Sequence, residues 1–188
     1  ESELVRSLVG FFLLFLLFIG LFIFVVPSTH QSSKIAEKIK SIKNEKVTYV
    51  AIGDSLTQGV GDSSNQGGFV PVLSQALESD FDWQVTSRNY GIAGNTSNQI
   101  LKRVQEKKDI QRDLKKAKVM TLTVGGNDVI HVIKDNITNL NVDTFTKPAQ
   151  AYQKRLGQII ELARKDNKTL PIYIVGIYNP FYLNFPEM

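Results

Sequence analysis

The sequence predicts a three-layer α/β/α domain on a parallel sheet, preceded by one apolar N-terminal helix. Apolar, β-branched runs recur at 47–52 (VTYVAI), 119–124 (VMTLTV) and 172–177 (IYIVGI), with a more polar extended run at 83–90. Helix-compatible stretches lie between them, and glycine-containing clusters follow the runs at 47–52, 83–90 and 119–124. Alternation of strand and helix buries a parallel sheet between two helical layers. Open sheets of this kind hold ligands beyond the C-terminal ends of their strands.

Residues 1–7 form a short flank in which Arg6 follows Glu1 and Glu3. Residues 8–26 (LVGFFLLFLLFIGLFIFVV) run for nineteen positions without a charge. At ~1.5 Å per residue such a helix reaches across a ~30 Å hydrocarbon core. A cleaved signal peptide would have a shorter apolar stretch and a small-x-small cleavage site. This run ends instead in Val25-Val26-Pro27, and no cysteine follows to carry a lipid. An uncleaved transmembrane anchor is expected. Lys34, Lys38, Lys40, Lys43 and Lys46 lie beyond it and oppose the positive-inside rule. The expected orientation therefore follows the anchor type: a single-pass cell-membrane protein, N-terminus inside, domain extracellular. Residues 27–46 read as a polar tether, within which IAEKIKSIK has amphipathic spacing.

The domain proper is expected from residue 47 to 188. Helical spacing returns at 68–79, and a long basic helix is expected over 96–116. Further helices are expected after Asn127 and over 146–165, before Thr169-Leu170-Pro171 turns the chain into its fourth strand.

Composition narrows the chemistry. The net charge of +4 is modest, and its lysine clusters read as solvated helix faces or as a surface attracted to anionic headgroups or cell wall. No aromatic interleaving or motif points to nucleic acid. With no cysteine and only His30 and His131, thiolate chemistry is excluded and no metal or other cofactor is expected.

Three clusters carry the functional signal. Gly53-Asp54-Ser55-Leu56-Thr57-Gln58-Gly59 follows the first strand. A serine on that turn can act as a nucleophile, cap a helix, or belong to a phosphate-binding turn. Neither P-loop nor dinucleotide spacing accompanies it. Asn89-Tyr90-Gly91-Ile92-Ala93-Gly94-Asn95-Thr96-Ser97 follows the second strand, where Thr96 or Ser97 can cap the next helix. Gly125-Gly126-Asn127-Asp128 follows the third, where Asn127 can cap a helix or offer its amide to a substrate oxygen.

In order and approximate spacing, GDSL, GNTS and GGND resemble the blocks of the SGNH (GDSL-type) hydrolases, over 47–177. The anchor and tether extend the likeness to envelope-anchored members of Gram-positive bacteria. The resemblance implies a flavodoxin-like fold and a serine esterase or lipase without metal or cofactor. Ser55 is the implied nucleophile. Its own N–H, the Gly94 N–H and the Asn127 side chain are the implied oxyanion donors, and Asp54 braces the loop. Ester-containing lipids or acylated envelope polysaccharides are the implied substrates. Phe181-Tyr182-Leu183-Asn184-Phe185 reads as a core or interface segment that can also line an acyl site.

The family's general base belongs to an Asp-x-x-His block after a fifth strand, and Met188 falls short of it. The chain is therefore expected to be a truncated piece with four of five strands and at most trace activity. A binding module that keeps the oxyanion pocket without turnover is the alternative. Asp128-Val129-Ile130-His131 matches Asp-x-x-His as a string. A helix starting there would carry His131 away from the strand ends, so it reads as an ordinary helix histidine.

Overall fold

A computed structural model describes residues 45–176. The flank (1–7), the expected anchor (8–26), nearly all of the tether and Phe181–Phe185 lie outside the described residues. Among the described residues, no helix is long and apolar enough to cross a membrane.

The chain runs β1 (Lys46–Gly53), α1 (Ser55–Gln58), α2 (Phe69–Phe81), β2 (Gln84–Gly91), α3 (Ser97–Glu106), α4 (Lys108–Lys116), β3 (Ala117–Thr123), α5 (Gly126–Asp135), α6 (Val142–Ala163) and β4 (Ile172–Val175). The four strands form one sheet in the order β2-β1-β3-β4, every pair parallel. The α/β class and the parallel sheet expected from the sequence are both present.

The central strands are apolar because both their faces are covered. On one face Val50, Ile52, Met120 and Leu122 pack against Ile100, Leu101 and Val104 of α3, Ile110 and Leu114 of α4, and Ile159 and Ala163 of α6. A fully buried side chain such as Ile52 or Leu122 contributes about 1.5–3 kcal/mol relative to exposure. On the other face Tyr49, Ala51 and Val119 meet Val70 and Leu73 of α2. Edge position explains the polar composition of β2, most of whose residues are exposed.

Two helices differ from expectation. The helix expected over 96–116 is two helices, broken at Lys107, whose backbone is extended (φ −86°, ψ 110°). The physical reason is the apolar spacing. Ile110 comes six residues after Val104, out of phase with the face that α3 buries, and both residues reach the core only if the chain turns between them. Gln111 Nε2 then donates to the Val104 and Gln105 carbonyls at the end of α3. The other helix, α6, begins four residues earlier than expected. Asn141 Oδ1 accepts from Thr144 N (3.0 Å), and Thr144 Oγ1 accepts from Asn141 N (3.2 Å), a reciprocal cap at its N-terminus. Pro148 in its second turn hides that start from a reading of periodicity.

Candidate active site

The three glycine-bearing clusters leave β1, β2 and β3 at the same, C-terminal edge of the sheet. Each is held there by hydrogen bonds from its neighbours.

At the end of β1, Gly53 lies against β3 so closely that a Cβ would stand 2.1 Å from Thr123 Oγ1 and 2.5 Å from Thr57 Oγ1. Glycine at this position makes room for a buried hydroxyl cluster. Thr123 Oγ1 accepts from Asp54 N (3.1 Å) and donates to Asp54 Oδ1 (2.8 Å). It also shares a 2.8 Å hydrogen bond with Thr57 Oγ1. Asp54 Oδ1 takes a further bond from Leu56 N, closing the turn that opens α1. Asp54 thus braces the turn. Ser55 sits half-buried at the first position of α1. No described residue hydrogen-bonds to its hydroxyl.

The second cluster is stitched to the first. Ile92 N donates to Gly53 O (3.1 Å), Asn89 Nδ2 to Thr57 O (2.7 Å) and Ala93 N to Gln58 Oε1 (2.6 Å). From the other side Arg103 donates through Nη2 to Tyr90 O (2.7 Å) and through Nη1 to Asn95 Oδ1 (3.2 Å). Burial lowers the Arg103 pKa, and the neighbouring Asp109 acts against that. Gly94 takes a left-handed backbone (φ +79°) with open space where a side chain would begin. Its N–H has no partner among the described residues. Thr96, the residue before α3, donates its N–H and its hydroxyl to Gln99 Oε1.

The third cluster turns from β3 into α5 on Gly125 (φ +110°). That left-handed residue makes Gly126 the first residue of the helix, so Asn127 is not its cap, one of the two roles open to it from sequence. Asn127 Nδ2 instead donates to Asn95 O (2.9 Å), joining the third cluster to the second. An amide carries two N–H bonds, so one remains for another acceptor.

Asp128 and His131 form no pair. Both Asp128 carboxylate oxygens bond elsewhere: Oδ2 accepts from Ser97 N (2.8 Å), and Oδ1 accepts from Ser97 Oγ (2.5 Å) and Arg155 Nη2 (3.2 Å). His131 is exposed on α5. An apolar cavity of about 120 Å³ opens between α5 and α6, lined by Gly125, Val129, Val132, Phe145, Pro148 and Tyr152. Burial, and then Asp128, raises the Tyr152 hydroxyl above its ordinary pKa.

The structure therefore brings the loops of Ser55, Gly94 and Asn127 to one edge. Thr123, Arg103 and Arg155, which hold them there, were absent from the sequence reading. Thr121 and Thr123 alternating inside the apolar run VMTLTV were a usable signal, since a hydroxyl in a buried strand must find a partner.

Residues 51–188 match the GDSL-like Lipase/Acylhydrolase family. The uncharacterized protein YpmR of Bacillus subtilis (strain 168) is 33% identical over 163 residues, which are 86% of this chain and 63% of that protein. The spore germination lipase LipC of Bacillus licheniformis is 30% identical over 138 residues, 71% of this chain and 64% of the lipase. Among solved structures, the lipase Lip_vut3 from a goat rumen metagenome aligns with a TM-score of 0.66 at 27% identity, over 72% of this chain and 66% of that one. AlinE4, an SGNH-hydrolase family esterase, aligns with a TM-score of 0.53 at 25% identity, over 74% of this chain and 63% of its own. The chain spans a little under two thirds of the length of these relatives.

Proposed function

Because this chain belongs to the GDSL-like lipase/acylhydrolase family, we propose that the protein hydrolyses carboxylic esters through an acyl-enzyme on Ser55. One observation carries the reading. At a single edge of the sheet, the Ser55 hydroxyl and the Gly94 N–H have no partner among the described residues, while the loops around them are tied together by hydrogen bonds. Donors that are already oriented can meet a developing charge without reorganising.

In the proposed mechanism Ser55 Oγ attacks the ester carbonyl and its proton passes to a general base. The tetrahedral oxyanion accepts hydrogen bonds from Ser55 N, Gly94 N and the free Asn127 N–H. Collapse expels the alcohol, which takes up the proton, and water then releases the acid by the same route. His131 is not the base in this reading. The resemblance implies that the histidine of the family's Asp-x-x-His block fills that role.

The substrate reading is an acyl ester with an apolar acyl group, on a lipid or on an envelope polysaccharide. Leu56, Ile92, Val129 and Ile130 are exposed on the elements that carry Ser55, Gly94 and Asn127, and the cavity between α5 and α6 lies beside Gly125. The uncharged run 8–26 supports single-pass attachment to the cell membrane, and the anchor type sets the domain outside.

The test uses the full-length protein on p-nitrophenyl esters of increasing acyl length. Ser55→Ala is expected to lose at least about 10³-fold in kcat/KM with unchanged folding. Full activity in that variant would overturn the assignment.

A further inference from the structure

Resting on that reading of Gly94 and Asn127 as oxyanion donors, we propose that Arg155 is a positioning residue. Through Ser97 and Asp128 it fixes the separation of the two donors. They sit on different loops, which leave different strands. Gly94 occupies an open left-handed turn, and α5, which carries Asn127, has no buried residue. An oxyanion hole assembled from two such parts needs a third element to hold them in register.

Arg155 supplies it from α6, a 22-residue helix seated on the core through Ile159 and Ala163. Its Nε donates to Ser97 Oγ (2.7 Å) and its Nη2 to Asp128 Oδ1 (3.2 Å). Ser97 Oγ in turn donates to Asp128 Oδ1 (2.5 Å), closing a three-membered ring of hydrogen bonds. The sense of the ring has one solution. A guanidinium only donates and a carboxylate only accepts, so the serine hydroxyl must accept from the first and donate to the second. Ser97 N adds a bond to Asp128 Oδ2 (2.8 Å). Ser97 is fully buried, and the Asp128 and Arg155 side chains are 14% and 25% exposed, so water competes weakly for these bonds.

The ring sits where it acts on both donors. Ser97 opens α3 three residues after Gly94, and Asp128 directly follows Asn127. The Asn127–Asn95 bond runs alongside it, so the two loops are joined at neighbouring points. Of these links, the ring alone reaches a third helix. Lysine cannot replace it fully, because an ammonium lacks the planar fork that meets two acceptors side by side.

The test compares kcat, KM and Tm of the full-length protein on a short p-nitrophenyl ester. Arg155→Met is expected to lower kcat roughly 10- to 100-fold, as a small misplacement of reacting groups does, with KM within about twofold. Arg155→Lys should recover part of the loss. In an Asn127→Ala background, the same Arg155→Met change should cost less than about threefold, because one of the two donors whose separation it fixes is already gone. If Arg155→Met does not fold, Ser97→Ala replaces it in both backgrounds with the same expectation. Independent, multiplicative losses in the double variant would overturn the proposal. So would an unchanged kcat, or a kcat loss that merely follows Tm. If Ser55→Ala is inactive while Arg155→Met is unaffected, the clamp alone fails. Hydrolysis that survives Ser55→Ala removes the Ser55 acyl-enzyme reading on which the proposal rests.

Discussion

The turns that leave β1 and β3 sit side by side at one edge of the sheet, yet different chemistry holds them. The β1 turn is packed: Gly53, Asp54, Thr57 and Thr123 are buried, and short hydroxyl and amide bonds fill the space that side chains vacate. The β3 turn leads into a helix with no buried residue, fixed by polar ties from Asn95, Ser97 and Arg155. The two halves of the proposed site should therefore fail in different ways. Damage to the β1 turn should appear as lost stability, because close packing cannot absorb added volume. Damage to the ties of the β3 turn should appear as lost catalysis in a protein that still folds.

The largest expected effect follows from the first half of that contrast. Gly53→Ala places a methyl where Thr123 Oγ1 would stand 2.1 Å away and backbone oxygen of the same residue 2.7 Å away. The backbone atom cannot rotate aside, so β1 and β3 must separate. A destabilisation of about 3 kcal/mol or more is expected in thermal or urea unfolding. A Gly53→Ala protein with native Tm but lower kcat would break the comparison, since the β1 turn would then behave as the β3 turn is proposed to. The Arg155→Met experiment above is its counterpart, a catalytic loss with little change in Tm.

The smallest effect belongs to the loop that leads away from the β1 turn. Asp62 accepts from Ser64 Oγ and from the amides of Gly68, Ser64 and Gln66. The Ser64 hydroxyl, then the Gly68 and Ser64 amides, hold its carboxyl well below the usual range. A depressed folded-state value means that the open loop takes up a proton before the ordered one does. The ordering is therefore complete above the ordinary carboxylate value of about 4, and is lost as pH falls through the folded-state value. Amide exchange at Gln66 and Gly68, corrected for its intrinsic pH dependence, should be faster at about pH 2 than at about pH 5. Asp62→Asn should show the faster exchange at both. Constant protection would show that the carboxylate does not order this loop.

Much of this architecture was legible in the sequence, for identifiable reasons. Strands β1 and β3 announce themselves because burial on both faces demands unbroken apolar runs, and glycines mark the turns where the chain comes close to itself. The break at Lys107 was legible in principle from the six-residue step between Val104 and Ile110, but the basic run across it masks the phase change. The site divides in the same way. Ser55, Gly94 and Asn127 lie in short local patterns. Their supports come from far along the chain: Thr123 bonds Asp54 across 69 residues, and Arg155 bonds Ser97 across 58. Arg155 is not unusual in its own neighbourhood, and Thr123 inside an apolar run signals a need for a partner without naming it, so no local pattern exposes the pairing. The D-x-x-H string shows the converse. Asp128 and His131 share a local pattern, but the carboxylate is committed to Ser97 and Arg155.

The attachment site of a fluorophosphonate on the full-length protein tests the role of Ser55 most directly. Peptide mapping is expected to find one phosphonyl adduct, on Ser55, that is absent in Ser55→Ala and forms more slowly in Asn127→Ala and Arg155→Met. An adduct on any other residue, or labelling undiminished in Ser55→Ala, would contradict it.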